Sequence, residues 1–320
     1  MKPALTAKAI AAVAFLLAGC ATQSPYRIDD VLDARQVSDQ GLDLFASGNL
    51  NAAVTAFNAV IDYGSIDYRD YARRAAALGA MEKYDLALQD TERALKFSLE
   101  RWRTHLQRAV IHQRTQKFDD AIADLDNALE INTDEISLLR RRAYLKMLAG
   151  RYTAAIDDYD NLTRIRPESN TGTLGRGVAL YLSGEWNGAS QAFADILKNS
   201  PYDGLAVLWL AKSALRAAGP ISWEEFASDA GPEREWVMAN LLIAMTDPNI
   251  VESTMVDLFR TEFSSDSDEC EHLLFLGTWH LIRNGSEDAR QAFEVATETC
   301  PIDSIEGAEA RIELERLGNG

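Results

Sequence analysis

Three cysteines and four histidines are the side chains of this 320-residue sequence best suited to metal, redox or nucleophilic chemistry. Cys270, His272 and Cys300 fall in one region of the chain. Two thiolates and an imidazole could begin a zinc site, but zinc wants a fourth ligand or a water, and no second cluster supplies one. The rival reading joins Cys270 to Cys300 in a disulfide. His105, His112 and His280 stand in helical sequence, where packing or surface roles are the rule. There is no HExxH pair and no GxSxG elbow. "GRG" (Gly175 to Gly177) reads as tight helix packing and not as a phosphate loop. The run "SSDSDE" (Ser264 to Glu269) lacks the glycine and terminal glutamate of a calcium loop. Glu224, Glu225, Asp229, Glu233 and Glu235 are acids without a nucleophile beside them. No catalytic constellation emerges, so the chain reads as a non-enzyme without cofactor or metal.

The elements that carry these residues are set by a repeat. Ala53, Ala87, Ala121, Ala155 and Ala189 recur with a strict period of 34. Twelve positions before each stands another small residue: Gly41, Ala75, Ala109, Ala143 and Gly177, continuing to Ala211. Four positions after most of them comes a bulky one: Phe57, Leu125, Tyr159 and Phe193, with Thr91 the exception. Small residues let two helices cross closely and the bulky one fills the space beside them. This matches the tetratricopeptide repeat (TPR) pattern of helix, turn, helix. The expected fold is all-α, a TPR superhelical solenoid. Five full repeats plus one helix fill 34–218, and the phase then fails at Trp223. Residues 219–269 read as irregular helices, opened by the capping box "SWEE". Gly277, Ala289, Phe293 and Pro301 restore the spacing, so 270–320 reads as a last repeat with a capping helix.

The first 19 residues have the form of an export signal: Lys2 and Lys8, an apolar run and small residues. The run is too short to span a bilayer, which takes about 20 residues. Leu17-Ala18-Gly19-Cys20 resembles a bacterial lipobox. That resemblance implies cleavage before Cys20, lipidation (palmitate among the acyl chains) of that residue, and a lipidated linker over 20–33. Ala21 in place of aspartate implies the outer membrane, facing the periplasm. The formal charge of −17 becomes −19 without the two leader lysines. Such acidity argues against nucleic acid, whose recognition needs basic patches.

Arg74, Arg108, Arg142 and Arg176 also recur at 34, as do Asp90, Asp124 and Asp158. They read as an internal ion-pair ladder across repeat junctions; a ligand-binding ladder is the rival. Cys270 and Cys300 fall at neighbouring ends of one helical hairpin, within reach of a disulfide. In an oxidising periplasm such a bridge would add about 3.6 kcal/mol by closing its loop.

In TPR arrays the first helices line a groove. The family's groove positions fall on Leu42, Phe45, Leu106, Val110, Tyr144, Met147, Leu174, Val178, Tyr181 and Leu208. This largely apolar set suits an extended segment or a helix. Arg35, Arg69 and Arg103 share one edge position, a landing strip for an acidic peptide. The chaperone-type carboxylate clamp needs asparagine where Leu42, Ala76, Val110, Tyr144 and Val178 stand. The groove could also be filled from within, by 219–269, or by a second subunit. Taken together, the lipobox, the repeats, "GRGVALYLSGEWNGA", a tryptophan-bearing irregular region and "LFLGTWHLIRNGSEDARQAFEVA" resemble the NlpI-type lipoproteins. The likeness runs over roughly Arg140 to Leu317. It implies a homodimeric outer-membrane adaptor presenting peptidoglycan hydrolases to one another, or to a C-terminal-processing protease. An assembly lipoprotein (pilotin-like or barrel-assembly) for pili, a secretin or outer-membrane barrels is the alternative.

Overall fold

A computed structural model describes residues 25–97, 102–200, 203–217, 268–283, 285–302 and 304–318. The leader, Cys20 and most of 219–269 lie outside them. All regular structure among the described residues is helical. One compact unit holds α1 (Val31–Ala46), α2 (Leu50–Asp62), α3 (Tyr68–Ala80) and α4 (Tyr84–Phe97). A second holds α5 (Trp102–Arg114), α6 (Phe118–Ile131), α7 (Ile136–Leu148), α8 (Tyr152–Ile165), α9 (Asn170–Ser183), α10 (Trp186–Asn199) and α11 (Gly204–Arg216). It also holds α12 (Asp268–Ile282), α13 (Ser286–Thr299) and α14 (Ile305–Gly318). In each unit consecutive helices pack as hairpins, and each hairpin packs on the next.

The helices start where side chains satisfy orphan backbone donors. Asp67, Glu135, Ser169 and Asp203 cap α3, α7, α9 and α11 in this way. Asp30 accepts from the N–H groups of Leu32 and Asp33, so α1 begins at Val31, inside the segment read as linker. Between the two helices of each of the first five repeats, one residue takes a left-handed backbone: Gly48, Glu82, Gln116, Gly150 and Gly184. These too lie 34 apart, but only three are glycine.

The hairpins close around the small-and-bulky pairs. Ala53, Ala87, Ala121, Ala155, Ala189 and Ala289 are wholly buried. A Cβ on Gly41, Gly177 or Gly277 would stand 2.6 Å from the ring of Phe57, Phe193 or Phe293 respectively. Each phenylalanine stands at i+16 from its glycine, in the partner helix. Where the bulky residue is Leu125, the position opposite can be alanine, as at Ala109. Tyr159 sits opposite Ala143 and instead crosses into the next hairpin, where a Cβ on Gly175 would stand 2.2 Å from its ring.

The arginine series is structural, with a different pairing from the one expected. Arg74 binds Asp90 at 2.6 Å, Arg108 binds Asp124 at 2.6 Å and Arg142 binds Asp158 at 2.6 Å. Each of these pairs lies inside one hairpin, not across a junction. The same series also reaches back to the preceding hairpin: Arg74 to Asn58, Arg142 to Asp126 and Arg176 to Asp160. The reason is steric: an arginine beside the crossing point touches the second helices on both sides.

Candidate protein-binding surface

The first helices of the hairpins in the second unit, α5, α7, α9 and α11, present the residues expected to line a groove. Leu106, Val110, Tyr144 and Leu174 are half-buried, while Met147, Val178, Tyr181 and Leu208 are buried. Part of this burial comes from the chain itself. The occupant is α14, which packs on α12 and α13 and reaches α7. Internal filling is among the expected outcomes; its expected filler, 219–269, lies almost wholly outside the described residues, and among those described the element on this surface is the C-terminal helix. In the first unit, Leu42 and Phe45 are half-buried beside Phe57.

Charges fix α14 in place. Lys212 pairs with Glu309, and Arg216 with Glu313 at 3.1 Å. Arg316 binds Glu313 at 2.6 Å and donates to the Leu182 carbonyl at 2.8 Å, at the end of α9. Lys212 Nζ lies 4.1 Å from the centre of the Trp209 ring and Arg216 Cζ 4.7 Å from that of Trp186. Trp209 in turn meets Tyr181 edge-on at 5.2 Å and stacks on Phe193 at 6.2 Å. Ile305 and Ile312 supply the apolar contacts of α14 to this surface, while Ala310, Leu314 and Leu317 pack on the α12–α13 hairpin. Glu309 and Glu313 are almost fully buried. Burial pushes the Glu309 carboxyl above the usual carboxylate range, against the pull of Lys212.

This ionic cluster is absent from the residues that sequence reasoning singles out. Its signals are present: one lysine in the otherwise apolar "LAVLWLAKSAL", and i, i+4 spacing of Lys212/Arg216 and Glu309/Glu313. The edge arginines differ in their settings. Arg69 is tied by 2.9 Å bonds to Asp67, the cap of its own helix, which raises its pKa further. Arg103 lies 4.3 Å over its neighbour Trp102, and Arg35 is exposed. Arg35 and Arg69 also border a cavity of about 530 Å³ in the first unit, with Asp70 and Arg73 in its polar wall. Cys270 and Cys300 are joined as a disulfide, Cα atoms 5.0 Å apart, which leaves no thiolates for the zinc alternative.

Known proteins point the same way. Residues 140–204 match the family model of the tetratricopeptide repeat. This is a TPR fold. A TPR protein from Parabacteroides merdae superposes with a TM-score of 0.61 over 88% of this chain and 98% of its own, at 14% identity. The C-terminal part of a TPR repeat-containing protein from Cytophaga hutchinsonii gives 0.54 over 82% and 95%, at 16% identity. At such identity the likeness is one of fold. No curated protein matches the sequence. TPR proteins bind proteins or peptides, and no catalytic family matches among the comparisons. Among the described residues, no helix is long and apolar enough to cross a membrane.

Proposed function

We propose that the protein is a TPR scaffold that gathers protein partners and performs no chemistry itself, held by a lipid on Cys20 at the outer membrane and facing the periplasm. One observation carries the scaffold reading: the face of α7, α9 and α11 is apolar, rimmed by cations, and shaped around a helix. A surface that holds one amphipathic helix has the chemistry to hold others. The lipobox at Leu17 to Cys20 supports the anchor, since stable attachment takes more than one acyl chain. The Cys270–Cys300 bridge supports an oxidising compartment. The partners we assign are peptidoglycan hydrolases and a C-terminal-processing protease, on the strength of the NlpI-type resemblance.

The test is periplasmic crosslinking in intact cells, capture of the protein from the membrane fraction, and identification of what comes with it. Hydrolases and a protease are the expected catch. Secretin or barrel-assembly subunits in their place would favour the assembly alternative. Cleavage of peptidoglycan by the purified protein alone would overturn the non-enzymatic reading.

A further inference from the structure

Half of a recognition pattern is built into α11. Lys212 is buried on its helix and backed by Trp209; Arg216, one turn on, is backed by Trp186. Two cations four residues apart read two carboxylates four residues apart on a facing helix. In this structure the carboxylates belong to Glu309 and Glu313 of α14.

The match is incomplete. Lys212 donates to the Glu309 carboxylate, but among the described residues Glu313 Oε2 accepts no well-aligned hydrogen bond beside Arg216, and Arg216 Nε meets no acceptor. Buried ion pairs of this kind cost desolvation, and apolar residues of equal volume would hold a permanent core helix at least as well. Such charges can instead supply selectivity, setting which helix sits at a site and in which register. A helix that completes the missing bonds would compete with α14. The covalent frame allows such an exchange. The disulfide at Cys300 fixes α13 to α12 independently of α14, which packs on that hairpin through Ala310, Leu314 and Leu317 and would give up those contacts on leaving from residue 301 onward.

We propose that the face of α9 and α11 is a receptor for an acidic helix of a partner protein, one bearing two carboxylates four residues apart, and that α14 is a stand-in displaced when the partner docks. This rests on the scaffold reading and names the chemistry of its ligand.

The experiment uses the full chain and a fluorescent peptide with the sequence of residues 304–318. A groove free only about a tenth of the time weakens apparent affinity about tenfold. The Glu309→Gln/Glu313→Gln protein, whose own α14 is loosened, should therefore bind the peptide about tenfold more tightly than wild type. A peptide with both glutamates changed to lysine should bind poorly, and recover with the Lys212→Glu/Arg216→Glu protein. Equal binding of both peptides, or no binding to the Glu309→Gln/Glu313→Gln protein, overturns the proposal. Hydrogen exchange on the wild-type chain is the check that needs no variant. Amides of α14 should exchange about tenfold or more faster than those of α9, as local undocking requires. Equal protection makes α14 a fixed core helix and overturns the receptor. Failure here with hydrolases still captured in cells sinks only the receptor. Peptide binding without any captured protein sinks the assigned partners instead.

Discussion

At the residue scale, Gly177 and Phe193 show how a single missing carbon sets the distance between two helices. The same glycine–phenylalanine pair recurs at Gly41 with Phe57 and at Gly277 with Phe293, always at i and i+16. Gly177→Ala gains about 1 kcal/mol of helix propensity but forces a methyl against a ring with no exposed edge, an overpacking cost of about 1–3 kcal/mol. Thermal melts should show net destabilisation, and adding Phe193→Leu should relieve it, because Ala109 with Leu125 already uses that combination. Failure of the second change to relieve the first would refute the steric account. The arginine series yields a second prediction. Asp158 takes both Arg142 and Lys146, at 2.6 and 2.7 Å, and is buried. Asp158→Ala takes the carboxylate from Lys146 and one of two from Arg142, Asp126 being the other, and should cost about 3–5 kcal/mol. Arg142→Ala leaves Lys146 on Asp158 and should cost less, about 1–3 kcal/mol, in the same denaturation assay. The strict period of the repeat made these residues legible in the sequence. Their partners were not, because an arginine beside a crossing point can reach forward within its own hairpin or back to the one before, and spacing alone does not say which.

At the scale of elements, the α5–α6 hairpin carries a pH response. Asp124 is buried between Arg108 and two histidines, His105 at 3.4 Å and His112 at 3.8 Å. Burial works against its charge, but His105 and Arg108 outweigh it and hold its carboxyl below the usual range. Burial also pushes His112 below the ordinary histidine value, against the pull of Asp124 and Asp120. Both folded values are depressed, so both contributions are complete above the unfolded values and fade as pH falls through the folded ones. Histidine fades first, below about pH 6.5, and aspartate below about pH 4. Chemical denaturation should show stability falling between pH 7 and pH 5, and His112→Gln should flatten that limb; an unchanged slope would remove His112 as its source. The hairpins themselves were legible from alternating small and bulky residues. The turns were only half so, since Glu82 and Gln116 occupy left-handed positions where Gly48, Gly150 and Gly184 mark the rule. The final helix was legible as a cap that packs on the last repeat, but its ion pairs to α11 were not. Glutamates at i and i+4 usually mark a solvated face, and only the fold brings Lys212 and Arg216 to meet them.

At the scale of the whole molecule, the proposed anchor and the proposed binding face form one device. Between Cys20 and the start of α1 lie residues 21–30, which reach about 35 Å at full extension. Under the proposed anchor the array works in a thin layer above the membrane, and partners held in that layer would meet at an effective concentration set by the tether, in the millimolar range for short flexible links. Under this mechanism weak individual affinities suffice, provided the scaffold stays in place. Cys20→Ser removes the proposed acyl site without touching any described helix. The purified variant should melt and bind the 304–318 peptide as wild type does, because neither property involves the lipid. In cells it should leave the membrane fraction, and turnover of the captured hydrolases should slow even when the soluble form is expressed at wild-type abundance. Fractionation with immunoblotting reads the first outcome, and pulse–chase of the hydrolases the second. Unchanged turnover with a fully soluble scaffold would show that position contributes nothing, and the function would then rest on the groove alone.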